Sequence, residues 1–300
     1  MSGVQIDSRF SEPPTLFFGI GAQKAGTSWL HSYLNKHPDA AVPRGKELHY
    51  WTRDKGASLG VAKRLKAQLK TLREEGKPRP GAMKRRLKLL QTEDPSHKLY
   101  ADILFKRYTG QKLVGEITPD YADLDRETFA DMSALNSDTR FVFLMRDPVE
   151  RLHSSMRKRL RNRLEVDRGR QFSNEEILEE LRALLFRKNS AAVRRSSYDR
   201  TIEELEAAVS TDKIGYFFYE DIFEKRSAAD ICDFLGIEAV PGDFDTKVNP
   251  GNPSAADDEF DKAFRTLALE RLMPVYQYME KKFGDRLPNA WKQQMALVDA

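Results

Sequence analysis

The sequence predicts an α/β fold with a central parallel sheet flanked by helices, and two observations carry that expectation. Short, dense apolar runs, Leu16-Phe17-Phe18-Gly19-Ile20-Gly21 and Arg140-Phe141-Val142-Phe143-Leu144-Met145 foremost, read as strands buried on both faces. Segments with apolar residues at helical spacing alternate with these runs, and strands that alternate with helices build parallel sheets.

The first run follows Pro13-Pro14 and enters a glycine-containing turn. From Thr27 the period changes: Trp29, Leu30, Tyr33 and Leu34 share one helical face, which ends at His37-Pro38. Ala40 to Pro43 reads as a short second strand, followed by Lys46-Glu47-Leu48-His49-Tyr50-Trp51. Lys55 to Leu90 is helix-forming and basic, broken by a loop at Gly76 to Gly81. Lys112 to Ile117 and Arg140 to Met145 are further strands. Pro148 suits the first turn of a helix with Asp147 as its N-cap. That helix is expected to run through the Arg157 region, and Asn174 to Phe186 reads as another, with a capping signal at Ser173 and Glu176. Ser197 to Val209 is expected as helix, Lys213 to Phe218 as strand, and Ala228 to Leu235 as helix stopped by Gly236.

Three hundred residues with 40% apolar and 32% charged content bury one sizeable core, so a single domain over 1–300 is expected. The net charge of +4 is mild and does not argue for a nucleic-acid partner. Its distribution is uneven: Arg53 to Lys112 holds 17 Lys and Arg against 6 Asp and Glu, and Arg157, Lys158, Arg159, Arg161 and Arg163 form a second cluster. The segment at about 53–111 reads as a basic helical insertion, either a plain solvated face or a surface for an anionic partner. Cys232 is the single cysteine, which excludes an intrachain disulfide and a cysteine-rich metal site. The five His residues show no ligand spacing, and no metal is expected. Met1 to Glu12 lacks the apolar core of a signal peptide, no run approaches a membrane span, and a cytoplasmic location is expected.

The chemistry concentrates at Gly21-Ala22-Gln23-Lys24-Ala25-Gly26-Thr27-Ser28. A strand that enters a glycine loop and then a helix turns backbone N–H groups and the positive helix end toward an anion. Lys24 adds a charge, Thr27 and Ser28 add hydroxyls, and the whole is P-loop-like in type. It departs from the nucleotide P-loop because Lys24 precedes the last glycine, Gly26, where that motif has lysine after it.

The order of Lys24, Gly26 and Thr27 resembles the 5′-phosphosulfate loop of the 3′-phosphoadenosine-5′-phosphosulfate (PAPS) dependent sulfotransferases. Arg146-Asp147-Pro148-Val149-Glu150-Arg151-Leu152-His153-Ser154 is similar to that family's second element, in which an arginine and a serine eight positions later bind the cofactor 3′-phosphate. The resemblance implies PAPS as donor and PAP as product. It implies Lys24, Ala25, Gly26, Thr27, Ser28 and Trp29 at the 5′ end, Arg146 and Ser154 at the 3′-phosphate, and Tyr198, Lys247 and Asn249 around the cofactor.

Lys46 to Trp51 is similar to a Lys-Glu-Val-His-Phe-Phe segment of the heparan sulfate and related carbohydrate sulfotransferases, which implies Glu47 as general base; His49 is the alternative. Gly115-Glu116-Ile117-Thr118-Pro119-Asp120-Tyr121 follows a family stretch but has Ile117 where those enzymes have lysine, so Lys46, Lys112 or the basic segment would supply the missing charge. Lys24 is expected to stabilise the leaving oxygen, with Glu47 or His49 as the catalytic proton acceptor. The acceptor is expected to be a carbohydrate, a lipid head group or a small metabolite, anionic or polar. A P-loop kinase or NTPase, and a non-catalytic polyanion binder, are the competing classes.

Overall fold

The computed structural model describes residues 5–52, 56–78, 80–156, 174–188, 190–245 and 258–296. Five strands, β1 Thr15–Gly21, β2 Ala40–Ala41, β3 Leu113–Ile117, β4 Thr139–Met145 and β5 Ile214–Phe218, form one sheet in the order β2-β3-β1-β4-β5. Every pairing is parallel. All residues of β1 and β3 are buried, which is why these strands read as unbroken apolar runs: both of their faces are covered.

The helices are α1 Thr27–Lys36, α2 Gly56–Glu74, α3 Gly81–Gln91, α4 Lys98–Leu104 and α5 Arg126–Ser133, then α6 over 148–156, α7 Asn174–Phe186, α8 Ala191–Arg194, α9 Tyr198–Glu206, α10 Tyr219–Glu224, α11 Ala229–Leu235, α12 Asp258–Phe283 and α13 Asn289–Ala296. The fold is the expected P-loop-like α/β sheet flanked by helices. Asp147 caps α6 through Oδ1, which accepts the Glu150 N–H at 2.9 Å. Gly236 ends α11 with φ 73°, the left-handed conformation that glycine reaches without a Cβ clash. The continuation of α6 toward Arg157 and the cap at Ser173 lie outside the described residues.

One apolar core runs from Phe10 to Trp291 and includes Tyr100, Ala101, Leu104 and Phe105, so α4 belongs to the main body. Only α2 and α3 share a small core of their own, built from Val61, Ala62, Leu65 and Leu90. Within the segment 53–111, the α2–α3 pair has its own small core, and α4 packs with the main body. The 26-residue α12 was not foreseen, although Phe264, Ala268, Leu272, Val275, Tyr276, Met279 and Phe283 are buried at helical spacing. No helix among the described residues is long and apolar enough to cross a membrane.

In a parallel sheet the loops after all strands leave from one edge. β1 stands in the middle with β3 on one side and β4 on the other, so the loops after these three strands converge where the chain direction across the sheet reverses.

Candidate active site

The β1–α1 loop is shaped by two residues in the left-handed region, Lys24 at φ 73° and Gly26 at φ 85°. A Cβ at Gly26 would lie 3.0 Å from the Phe223 ring and 3.1 Å from the Tyr219 ring, so the position demands glycine on both conformation and space. The α1 ladder begins with the Leu30 N–H donating to the Gly26 carbonyl at 3.1 Å. The amides of Thr27, Ser28 and Trp29 therefore precede the ladder, and no acidic residue stands in that first turn. The Trp29 ring turns inward, stacks on Tyr33 and donates from Nε1 to the Asp243 carbonyl at 2.7 Å. Of Trp29, only the backbone faces the loop's task.

The loop after β4 meets this one. The Arg146 guanidinium donates from Nη1 to the Lys24 carbonyl at 3.4 Å and lies 4.9 Å from the Tyr219 ring centre. Its carboxylate neighbour Glu150 is 3.8 Å away and also pairs with Arg265. Tyr198 meets the backbone of Arg146. It is buried, its hydroxyl donates to the Arg146 carbonyl at 2.8 Å and accepts from the Arg146 N–H at 3.5 Å, so it holds the arginine in place. Ser154 is half-buried in α6, eight residues beyond Arg146.

Asp147 beside it is nearly fully buried, and burial pushes its carboxyl up to about 6 despite bonds from the Glu150 N–H and, at 2.7 Å, the Tyr276 hydroxyl. Glu220, whose Oε1 accepts the Asp147 N–H at 2.9 Å, is also raised by burial.

These contacts bring two sequence motifs more than 100 positions apart into one site. Residues 14–241 match the profile of the Sulfotransferase family. The chain belongs to that family. Solved sulfotransferases share the fold. One from Alicyclobacillus acidocaldarius superimposes with TM-score 0.59 at 21% identity, covering 94% of this chain and 99% of that one. The sulfotransferase domain of the Synechococcus PCC 7002 olefin synthase gives 0.53 at 20%, covering 89% and 95%. The sulfotransferase domain from the curacin biosynthetic pathway gives 0.51 at 16%, covering 90% and 98%. No curated protein sequence matches the chain.

The sulfotransferase chain places its third group of residues after β2. Lys46 donates from Nζ to Thr27 Oγ1 at 2.9 Å and Ser28 Oγ at 3.1 Å, and stands 3.3 Å from a Glu47 oxygen. Burial lowers the Lys46 pKa, against the pull of Glu47. His49 and then Lys46 hold the Glu47 carboxyl down at about 2 in spite of burial. Glu47 Oε2 lies 3.8 Å from His49 Nε2, and His49 Nδ1 lies 3.7 Å from Asp120 Oδ2. The Glu47 side chain is 43% exposed and that of His49 only 5%, so Glu47 fronts the site and His49 stands behind it.

Glu47 and His49 both have left-handed backbones, with φ 63° and 59°. Such strain persists only where neighbours fix it. Glu116, buried on β3, does so. Its Oε2 accepts the Leu48 N–H at 3.2 Å and the Thr118 hydroxyl at 2.7 Å, while Oε1 accepts the hydroxyls of Tyr100 at 2.8 Å and Tyr121 at 2.7 Å. Thr118 Oγ1 in turn receives the His49 N–H at 3.5 Å.

Among the expected site residues, the structure gathers Lys24, Ala25, Gly26, Thr27, Ser28, Trp29, Arg146, Glu47 and His49 at one edge of the sheet. Lys247 and Asn249 lie outside the described residues. Two neighbours went unassigned from the sequence, while Lys46 was named there only as one source of the charge missing at Ile117. Asp120 lies inside a quoted motif and is visible there. Arg86, whose Nη2 donates to the Glu47 carbonyl, comes from α3, and nothing in its local sequence marks it. Ile117 packs its side chain over Gly19 rather than toward the site.

Proposed function

We propose that this sulfotransferase moves a sulfuryl group from PAPS to a hydroxyl or amine of an acceptor: a carbohydrate, a lipid head group or a small metabolite. The observation that carries the reading is the contact between Arg146 and the Lys24 backbone. It supports two anion-binding centres side by side, as a nucleotide with phosphates at both its 5′ and 3′ ends requires. The residues fit such a donor: the loop at Gly26 has no room for a Cβ, and Arg146 meets its carboxylate neighbour only at 3.8 Å.

PAPS supplies an activated sulfuryl group. In this reading the amides of Gly26 to Trp29 and the hydroxyls of Thr27 and Ser28 hold the 5′-phosphate, Ala25 shapes the loop by donating its N–H to the Ala22 carbonyl at 3.2 Å, and Arg146 with Ser154 holds the 3′-phosphate. Lys24 neutralises charge on the leaving oxygen, and Lys46, already on the loop hydroxyls, adds a second cation. Glu47 takes the acceptor proton because it is the exposed member of its pair, and His49 behind it shares the charge. The carbohydrate-type acceptor suggested by Lys46 to Trp51 is part of this proposal.

A ligand that binds only the folded state adds stability, about 2.7 kcal/mol at 100 times its Kd. PAP is expected to raise the melting temperature by several degrees, and ATP with Mg²⁺ to do so far less. Replacing Lys24 by Ala should cut transfer of ³⁵S from labelled PAPS by about a hundredfold, in the range of one lost oxyanion donor, with the fold intact. A larger shift from ATP with Mg²⁺, or full transfer by Lys24→Ala, would sink the reading.

A further inference from the structure

The α2–α3 lobe carries its cations outward with one departure. On α3, Lys84, Arg85 and Lys88 are exposed, whereas Arg86 is half-buried on the stripe of Met83, Leu87 and Leu90 that closes the small core. Arg86 donates from Nη2 to the Glu47 carbonyl. Its Nε is buried without a hydrogen-bond partner, and no carboxylate pairs with it among the described residues. Burial lowers its pKa, while the charges of Glu116 and Glu47 act on it from a distance. A guanidinium in this state is costly: a half-buried charge with an enclosed, unpaired Nε weakens the helix that carries it.

The cost is understandable if the missing partner arrives with a substrate. Arg86 reaches the backbone of the residue that fronts the acceptor side, and Lys46, the other cation beside Glu47, is already taken by Thr27 and Ser28. With Nε enclosed and Nη2 on the Glu47 carbonyl, Nη1 is the donor left to meet a carboxylate, sulfate or phosphate, and the delocalised charge acts through it. The exposed Lys63, Arg64, Lys66 and Lys70 on α2 add a field that concentrates anions on the same lobe. We propose that Arg86 forms an anion subsite of the acceptor site, so that the acceptor bears an anionic group close to the hydroxyl or amine that receives the sulfuryl group. This inference rests on the proposed transfer at Glu47.

The test uses the full chain saturated with PAP, at fixed ionic strength, and reads melting temperature with matched probes: 4-hydroxybenzoate against 4-hydroxybenzamide, and glucuronate against glucose. The PAP shift is read first, and its absence counts against the donor reading rather than this one. In the parent protein at least one acid should add a shift that its neutral partner does not. Arg86→Met should abolish that difference, Arg86→Lys should keep part of it, and both variants should retain the PAP shift, which shows that they fold. Transfer of ³⁵S to the acid over its neutral partner should fall at least about tenfold in Arg86→Met. Equal shifts for acid and neutral probes, no shift from any probe, or a difference that survives Arg86→Met overturns the proposal.

Discussion

Glu47 and Asp147 are carboxylates pushed in opposite directions. Glu47, beside His49 and Lys46, is held down at about 2, so it stays ionised through the working range. If it is the proton acceptor, kcat/KM should show no acid limb from it between pH 5 and 8. An acid limb within that window would point to a different proton acceptor. Glu47→Gln should lower turnover by about a hundredfold or more, with PAP affinity little changed by calorimetry. Asp147 gives the reverse dependence on stability. Its folded value near 6 exceeds the ordinary 3.8, so the folded state binds the extra proton, and its contribution falls as pH rises from about 4 through 6. The shift corresponds to about 3 kcal/mol. Asp147→Asn should flatten the melting temperature against pH over that window relative to the parent. Unchanged curvature would show that Asp147 keeps its charge at no cost. Neither shift was legible in the sequence, since each depends on groups brought in from other elements. The residue types were legible, because Lys24, Glu47 and Arg146 sit in short motifs whose spacing is local.

At the scale of elements, the strand, loop and helix from Thr15 to Lys36 form a unit that the sequence displays almost completely. The apolar run, the glycines and the change of period are all local signals, and both ends of β1 and α1 fall within about a residue of expectation. The order of strands is not local. It follows from how α1, α4 and the long segment between β4 and β5 pack. The hold of Glu116 on the Leu48 amide joins two segments 68 residues apart in the chain. The loop's dependence on Gly26 is testable. Gly26→Ala adds a Cβ at φ 85°, a conformation that costs an L-residue about 1–2 kcal/mol, and pushes it against the rings of Phe223 and Tyr219. Tyr219 also lies under Arg146, so the displacement reaches both anion centres. PAP affinity should drop about tenfold or more, and the melting temperature by a few degrees. A loss of stability with unchanged PAP affinity would separate the loop's shape from its binding.

Across the whole molecule, two apolar cores of unequal size divide the labour. The large one ties the sheet edge, and with it Lys24, Glu47 and Arg146, to α12 and α13 through Tyr276 and Trp291. The small one holds only α2 against α3. Composition marks the lobe as basic, whereas the packing of Tyr100, Ala101, Leu104 and Phe105 into the main core depends on tertiary contacts that composition does not carry. Truncation in each core should therefore report differently. Phe18→Ala, at the centre of the sheet, should cost about 3–5 kcal/mol and lower the midpoint of the whole molecule. Leu65→Ala removes one of four residues closing the lobe and should loosen α2 and α3 locally, seen as faster amide exchange there. PAP should stabilise both variants, since Phe18 packs against Trp51 and Phe141 and Leu65 lies in the small core. If Leu65→Ala loses the PAP response, the lobe takes part in nucleotide binding, and Arg86 would be reached through the donor as well as the acceptor.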